Sequence, residues 1–344
     1  MTGGLAQGET LLLDAQEVRA ILTPQAAIAA LEEAFSAMAA ENAVQPLRVA
    51  AWRPDQQGAI AAMPAFLGRP AVLGAKVIAV FPENSRAGLP SHQGVVVLHD
   101  AEDGRCLAIV DAGAITAIRT AAASALATRL LAREDAQVLA LLGSGEQAHE
   151  HLRAIRTVRA IREVRVFSRT AAHAQTFAAV AERAEGLPVR AAHTAEEAVR
   201  GAQIICTLTA AREPVLLGRW LEPGAHVNAV GASTPAFREL DAQAISRSIL
   251  FTDRAESLSA ESEDYLGALR EGAISEGHLR GELAQLVAGS RTGRTSPEEI
   301  TLFKSLGLAI EDVAAAHRVY REAIAQGHGL RIRLGGEARP GTGA

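Results

Sequence analysis

The sequence contains little cysteine, little lysine and no long apolar run. Only Cys106 and Cys206 occur among its 344 residues. Two isolated cysteines argue against a disulfide framework or a metal cluster, and they suit a reducing compartment. No apolar run reaches the roughly 18 residues that a membrane span needs, and the opening MTGGLAQGET lacks the features of a signal peptide. We therefore expect a cytoplasmic protein that has no membrane partner and binds no metal.

Positive charge is scarce as well, and arginine carries almost all of it. Lysine and arginine together number 34 against 39 aspartates and glutamates, which gives a net charge of −5. Without a basic surface, nucleic acid is not expected as a partner. The chain has two lysines, Lys76 and Lys304. Lys76 lies in the apolar run GAKVI, where a charged side chain is costly unless it is paired.

The pattern of helices and strands changes along the chain. Residues 23–41 predict a helix that is capped by Thr23. Residues 45–112 contain short strand-like runs between Gly, Pro and Asp, with an Asp-Gly hairpin signal at 103–104. The pattern of this β-rich block predicts an antiparallel sheet. An alanine-rich helix is predicted over residues 113–133.

From residue 136 onward, strands and helices alternate, which predicts a parallel, doubly wound sheet. The stretch 296–327 predicts a helix with Ser296 as its cap. The predicted fold class is therefore α/β. A Rossmann domain, residues 119–305, is inserted between the segments 1–118 and 306–344, which together form a second, α+β domain. A cleft between two such domains is a usual place for a ligand.

The run LALLGSGEQA, residues 139–148, predicts a dinucleotide-binding turn. Gly143 permits a tight turn after the strand, Gly145 lets the backbone approach a pyrophosphate, and Ala148 allows close packing of the helix. The alternative is a glycine-rich turn of some other α/β fold. The cofactor contacts predicted here are Gly143, Ser144, Gly145, Glu146 and Gln147.

The end of the next strand predicts which coenzyme is bound. NAD-binding folds usually place Asp or Glu there, on the ribose 2′-hydroxyl. Here the run EVRVFSRT ends in Ser168, Arg169 and Thr170, whose guanidinium and hydroxyl groups suit a phosphate. The expected cofactor is therefore NADP(H), with NAD(H) bound at lower affinity. The alternative is that Arg169 is only a surface residue at the start of a helix.

Six runs, in this order, resemble the ornithine cyclodeaminase/mu-crystallin family over nearly the whole chain: LGAKVIAVFPEN, LPSHQGVVVLHD, AITAIRTAAASALAT, LLGSGEQA, EPGAHVNAVGAS and TLFKSLGLAIEDVAAA. The resemblance implies that both chain ends form one substrate-binding and dimerisation domain. It also implies hydride transfer between nicotinamide and the α-carbon of a small amino or imino acid. A homodimer is implied too, with the β-rich block as its interface.

The resemblance assigns Arg48, Lys76 and Arg119 to the substrate carboxylate, and His92 to the substrate pocket. A guanidinium can bind a carboxylate through two hydrogen bonds, and a lysine adds a compact charge and a proton donor. Alternatives stay open, since Lys76 could extend to solvent from an edge strand, and the other three could be structural. The remaining cofactor contacts are predicted to be Thr120, Thr207, Leu208, Thr209, Val230 and Gly231.

Ser233 separates the members of the family. The resemblance implies an Asp at this position in ornithine cyclodeaminases and the related alanine dehydrogenases, and a Ser in ketimine reductases similar to mu-crystallin. A serine is no general base near pH 7 without an activating partner. We therefore predict reduction of Δ1-pyrroline-2-carboxylate or Δ1-piperideine-2-carboxylate to proline or pipecolate, with Lys76 or a water near Ser233 as proton source. An ornithine cyclodeaminase, an alanine dehydrogenase and a non-enzymatic, NADPH-dependent small-ligand-binding protein are the alternatives.

Overall fold

The structure is a computed structural model that describes residues 8–55 and 57–334. Contacts within the chain divide it into two compact units. The first unit contains the residues up to Arg119 together with those from Ala309 onward, and the second is Thr120–Leu308. The ends of the predicted two-segment domain, residues 1–7 and 335–344, lie outside the described residues.

The described residues form sixteen strands and eleven α-helices. The strands are β1 (Glu9–Leu13), β2 (Ala43–Val44), β3 (Val49–Trp52), β4 (Ala59–Gly68), β5 (Ala71–Val80), β6 (His92–Asp100), β7 (Cys106–Asp111), β8 (Val138–Leu142), β9 (Glu163–Phe167), β10 (Val189–Ala191), β11 (Ile204–Thr207), β12 (His226–Ala229), β13 (Ile249–Thr252), β14 (Leu279–Glu282), β15 (Thr301–Lys304) and β16 (Leu330–Arg333). The helices are α1 (Ala15–Ile21), α2 (Pro24–Ala39), α3 (Ala112–Leu131), α4 (Glu146–Ile155), α5 (Ala171–Glu185), α6 (Ala195–Val199), α7 (Ala242–Ser246), α8 (Ala255–Glu261), α9 (Glu263–Arg270), α10 (Leu283–Val287) and α11 (Ala309–Gln326).

The first unit is built on one mixed sheet of eight strands. Its order is β16-β1-β7-β6-β5-β4-β2, and β3 also pairs with β4. The pair β1–β7 is parallel and the others are antiparallel, including the predicted β6–β7 hairpin. Buried and exposed residues alternate along β4, because α11 packs against one face of the sheet.

Two long helices cover that inner face of the sheet. Helix α2 begins as predicted, since the Thr23 side chain accepts a hydrogen bond from the Ala26 N–H. Helix α11 lies directly against β5 at Gly74, where an added Cβ would stand 2.8 Å from Val313 Cγ2. A side chain at Gly74 would therefore push α11 away from the sheet.

The second unit contains a parallel sheet with the order β10-β9-β8-β11-β12-β15-β13-β14. Every neighbouring pair in this sheet is parallel, which confirms the predicted doubly wound arrangement. Residues such as Leu139 and Ile204 belong to one buried apolar cluster, and Ala140 and Ile205 belong to another. Successive residues of each central strand thus face two different cores, as both faces of such a sheet are covered.

The helix predicted over residues 296–327 is wrong in its first half. Ser296 and Pro297 lie in a turn, Thr301–Lys304 forms β15, and α11 begins only at Ala309. Strand β15 lies between β12 and β13, and all of its residues are buried. Its central place in the sheet and its β-branched and aromatic residues therefore outweigh the capping signal at Ser296.

Neither a membrane helix nor a metal cluster is found within the described ranges. No helix there is long and apolar enough to cross a membrane. No group of three or more His, Cys, Asp or Glu side chains is placed to hold a metal ion. Cys106 and Cys206 are free thiols, and burial raises the pKa of Cys206 to about 12. Cys206 is therefore a structural residue, since the thiolate is the reactive form.

Candidate active site

Lys76, the only lysine of the first unit's described part, lies in the middle of its sheet. It belongs to β5, which pairs with β4 on one side and β6 on the other, and it is 3% exposed. The alternative of a lysine reaching solvent from an edge strand is therefore wrong. A buried ammonium group needs a partner of opposite charge.

Two adjacent carboxylates of α11 supply that partner and also hold Arg119. Lys76 Nζ lies 2.8 Å from Asp312 Oδ2 and 3.4 Å from Thr116 Oγ1. Arg119 Nε donates to Asp312 Oδ1 at 2.9 Å, and its Nη1 donates to Glu311 Oε2 at 2.5 Å. Lys76, Arg119, Glu311 and Asp312 are all buried, and we refer to them as the buried charge cluster.

The cluster changes the acidity of both of its cations. Burial lowers the pKa of Lys76 to about 8; Asp312 opposes that shift, and the charges of Arg119 and Arg48 add to it. Burial also acts to lower the pKa of Arg119, but Asp312 and Glu311 outweigh it and raise that pKa above its usual value. Arg119 is thus a permanent charge, whereas Lys76 can exchange a proton near neutral pH.

Arg48 and His92 lie near this cluster. Arg48 is half-buried just before β3 and is one of the charges that lower the pKa of Lys76. His92 opens β6, and its Nδ1 lies 2.9 Å from Ser91 Oγ. His92 is an exposed residue, but desolvation by the atoms around its ring and the charges of Lys76 and Arg119 lower its pKa. His92 is therefore neutral at pH 7, and its ring can donate or accept a hydrogen bond.

Glu311 and Asp312 were missed by sequence reasoning. Their signal was the run AIEDVAAA, in which two acids interrupt an otherwise apolar helix. Buried acids require cations, and both cations lie about 190 or more residues away along the chain. Arg48 adds a third positive charge that acts on Lys76.

The predicted dinucleotide turn of the second unit joins β8 to α4. Gly143 has a φ of +119°, and an added Cβ would lie 2.6 Å from the Leu208 carbonyl oxygen. Gly145 begins α4 without a side-chain cap, and nothing lies within 4 Å of the place of its Cβ. Among the described residues, Gln147 Oε1 is buried and has no hydrogen-bond partner. The open space beside Gly145 at the start of α4 leaves room for a pyrophosphate at this turn.

The residues predicted for the coenzyme's ribose phosphate follow β9. Ser168 is half-buried, whereas Arg169 and Thr170 are exposed. Thr170 begins α5 without a side-chain cap. Among the described residues, no carboxylate forms an ion pair with Arg169. Its guanidinium is thus available for an anion at the end of this strand.

The other predicted coenzyme contacts lie at the same edge of the parallel sheet. Strands β9, β8, β11 and β12 are neighbours, so their carboxyl ends meet at one edge, where ligands of such folds bind. Thr207 ends β11 and residues 208–209 follow it, whereas Val230, Gly231 and Ser233 follow β12. The Thr207 hydroxyl is directed to a buried carboxylate, that of Glu239, at 2.7 Å. Thr120 is buried in α3, in the first turn of the second unit.

Comparisons with known proteins agree over almost the whole chain. A model of the ornithine cyclodeaminase/mu-crystallin family matches residues 8–327. The ketimine reductase mu-crystallin of Mus musculus is 38% identical over 277 residues, which are 80% of this chain and 84% of the mouse protein.

Two solved structures share the complete architecture. One is Thermococcus litoralis Δ1-pyrroline-2-carboxylate reductase in complex with NADH and L-proline. It has a TM-score of 0.91 and 37% identity, and covers 93% of this chain and 99% of that chain. The other is an archaeal alanine dehydrogenase dimer with bound NAD. It has a TM-score of 0.89 and 35% identity, and covers 95% of this chain and 99% of that chain.

Proposed function

The chain belongs to the ornithine cyclodeaminase/mu-crystallin family, and from this premise we propose that it is an NAD(P)H-dependent reductase of cyclic ketimine carboxylates. Its substrates are Δ1-pyrroline-2-carboxylate or Δ1-piperideine-2-carboxylate, and its products are proline or pipecolate. The observation that carries the proposal is the buried charge cluster, in which Asp312 holds Lys76 and Arg119 side by side. The names of the mouse relative and of the Thermococcus litoralis structure support the same reaction.

The substrate carboxylate binds to Arg119 and Arg48. Arg119 gives its Nε and one Nη1 hydrogen to Asp312 and Glu311, and no bond from its Nη2 is found in the described residues. We assign that nitrogen to the substrate carboxylate, because Asp312 and Glu311 fix the rest of the guanidinium. A guanidinium held in this way binds a carboxylate with little loss of conformational freedom.

Lys76 supplies or maintains the proton on the imine nitrogen. The nitrogen must be protonated for the carbon to accept a hydride, which the nicotinamide coenzyme supplies when it is bound. Because its pKa is about 8, Lys76 is protonated at neutral pH and can still release that proton. A water held by Ser233 is the second candidate donor. His92 contributes a neutral polar side chain to the substrate pocket.

Ser233 favours reduction over deamination. An ornithine cyclodeaminase or alanine dehydrogenase must accept protons from an amine and a water, for which the family uses a carboxylate at this position. The Ser233 hydroxyl has no hydrogen-bonded base among the described residues. It therefore cannot replace a carboxylate near pH 7.

The preferred coenzyme is NADPH, with NADH used at lower affinity. Residues 143–147 hold the pyrophosphate, and residues 207–209 and 230–231 approach the nicotinamide half. Arg169, flanked by two hydroxyl groups and exposed at the end of β9, binds the 2′-phosphate. Solved relatives contain NADH and NAD, so the preference depends on Arg169 and its two neighbours alone.

A second copy of the chain covers the outer face of the first unit's sheet. The outward residues of β4 and β5 are all apolar, and Val49, Ile60 and Leu73 are exposed there. Soluble monomers rarely expose so large an apolar patch, and the archaeal relative is a dimer. Sedimentation should give a dimer, and Ile60→Asp with Leu73→Asp should give monomers. The predicted cytoplasmic location stays a prediction.

A substrate panel tests the proposed reaction. The assay uses NADPH and NADH with each cyclic imine and with pyruvate plus ammonia. Ornithine is assayed with the oxidised coenzymes. Rapid oxidation of NADPH by one of the cyclic imines is expected. Ammonia release from ornithine without any imine reduction would reassign the protein as a deaminase. Tight coenzyme binding without turnover of any compound would favour a ligand-binding protein.

A further inference from the structure

Glu239 joins the two loops that follow β11 and β12. Its side chain is fully buried. Oε1 accepts hydrogen bonds from the Thr209 N–H at 2.6 Å and the Thr209 hydroxyl at 2.7 Å. Oε2 accepts from the Thr207 hydroxyl at 2.7 Å, the Gly231 N–H at 2.7 Å and the Ala232 N–H at 3.2 Å. One carboxylate therefore fixes the backbone of both loops.

A buried ion pair holds Glu239 in its place. The N–H groups of Glu239 and Leu240 donate to Asp264 Oδ1 at 2.8 and 2.9 Å. Asp264 Oδ2 in turn lies 2.8 Å from Lys304 Nζ, and neither side chain is more than 1% exposed. The second lysine of the chain, Lys304, thus has a structural partner. Its charge also offsets part of the negative charge that Glu239 and Asp264 bring into the core.

The side-chain bonds of Glu239 all go to the carboxyl end of β11 and to the loops that follow β11 and β12. A buried carboxylate is costly unless donors satisfy its oxygens. Here one donor comes from the last residue of β11 and four come from the two loops. The loops also touch each other, because a Cβ on Gly231 would lie 2.1 Å from the Thr209 carbonyl oxygen. A change at Glu239 therefore moves residues 207–209 and 230–232 together.

We propose that Glu239 is a positioning residue for the nicotinamide half of the coenzyme. The proposal rests on the proposed function, which assigns residues 207–209 and 230–231 to that half. Ser233 lies two residues after Gly231 in the same loop. A doubly wound fold binds the two halves of a dinucleotide on separate groups of strands. The pyrophosphate turn at Gly143 and Gly145 and the strand end at Arg169 receive no bond from Glu239. The adenosine half should therefore depend on Glu239 much less than the nicotinamide half does, although Leu208 contacts the turn at Gly143.

Glu239→Gln tests this division. Glutamine keeps the volume but replaces one acceptor oxygen with an NH2 group, which then faces N–H or O–H donors. The dissociation constants are measured for NADPH, NADH, 5′-AMP and adenosine 2′,5′-bisphosphate. Binding of the complete coenzymes should weaken about tenfold or more, as expected when hydrogen bonds to a charged group are lost. Binding of the two adenosine nucleotides should change less than about twofold, since their subsite keeps its bonds.

A pair of threonine variants separates positioning from general damage and replaces Glu239→Gln if that variant does not fold. Thr207 and Thr301 both carry fully buried hydroxyl groups. The Thr207 hydroxyl bonds Glu239 at 2.7 Å. The Thr301 hydroxyl, at the start of β15, donates to the Leu131 carbonyl at 3.1 Å and contacts Arg294 and His226, but not Glu239. Thr207→Val should weaken the complete coenzymes selectively, and Thr301→Val should lower the melting temperature without that selectivity.

Three outcomes would overturn the positioning role. The first is equal weakening of coenzymes and adenosine nucleotides in Glu239→Gln, which would indicate general damage. The second is unchanged coenzyme binding in both Glu239→Gln and Thr207→Val. The third is a wild-type protein that binds neither class of nucleotide, which would refute the proposed function itself. Wild-type binding therefore distinguishes a failure of the function from a failure of the positioning role.

Discussion

The bridging carboxylate of Asp312 offers the sharpest test of the buried charge cluster. Asp312→Asn keeps the shape of the side chain but removes the negative charge that contacts both Lys76 and Arg119. Asp312 is the charge that raises the pKa of Lys76 against burial. Its loss should therefore move that pKa below about 8.

The cost in stability follows from the same contacts. Removing one partner of a buried ion pair costs about 3–5 kcal/mol. The wild-type pKa of Lys76 is lowered from 10.5 to about 8, so the folded state holds its proton less tightly than the unfolded chain. Stability linked to Lys76 therefore increases as pH rises from about 8 to 10.5 and is lost below that window. In Asp312→Asn the window should extend to lower pH.

The cost of the substitution should consequently fall as pH rises. Well below pH 8, Lys76 is charged in both proteins and the variant loses the full attraction. Above pH 8, Lys76 is largely neutral in both, and the difference shrinks by about 1.4 kcal/mol for each unit of pKa shift between them. Urea unfolding checks this in a Trp220→Phe background, where Trp52 reports on the first unit.

Activity gives a second measurement on the same variant. If Lys76 supplies the proton, the wild-type kcat/KM should fall as pH rises through about 8, and this fall should move to lower pH in Asp312→Asn. Glu322→Gln, on the same helix, is the matched control. Its carboxylate pairs with Arg318 at 3.0 Å at the surface, so it should cost under about 0.5 kcal/mol. The role of the cluster would be refuted if the loss of unfolding free energy in Asp312→Asn did not change with pH and the fall in kcat/KM stayed at the wild-type pH.

Three further predictions concern the turn, the coenzyme and the proton. Gly143→Ala should prevent folding or coenzyme binding, because its Cβ would lie 2.6 Å from a carbonyl oxygen. Gly145→Ala has open space around its Cβ, so this variant should keep the wild-type melting temperature and bind coenzyme more weakly. Arg169→Ala should weaken NADPH about tenfold more than NADH, as titration would measure, and equal losses would contradict the preference. Lys76→Met should lower kcat by about 10²–10⁴-fold, and Ser233→Ala should lower kcat by less. If steady-state kinetics show the larger loss of kcat in Ser233→Ala, the water near Ser233 is the proton donor.

The features that the sequence predicted correctly depend on residues close together in the chain. The turn at Gly143 and Gly145, with its flanking strand and helix, is determined by residues that are close together in the chain. The cap at Thr23 and the hairpin at 103–104 are local in the same way. The fold class also follows from the local alternation of strands and helices.

The features that the sequence did not reveal depend on contacts between distant residues. The local sequence of strand β15 predicts the start of a helix, because only its neighbours in the sheet make Thr301–Lys304 extended. Asp312 reaches Arg119 across 193 residues. Asp264 reaches Lys304 across 40. Buried ions of this kind can be suspected from apolar runs that contain a charge, but their partners are fixed only by the fold.

Transfer of deuterium tests the proposed reaction most directly. NADPH that carries deuterium at nicotinamide C4 is incubated with the protein and Δ1-pyrroline-2-carboxylate, and the products are analysed by mass spectrometry and NMR. The predicted result is proline with deuterium at its α-carbon, formed much faster than with Lys76→Met protein. The proposed reductase would be contradicted if no labelled proline formed, if the six-membered imine gave no labelled pipecolate, and if the protein released ammonia from ornithine with NAD.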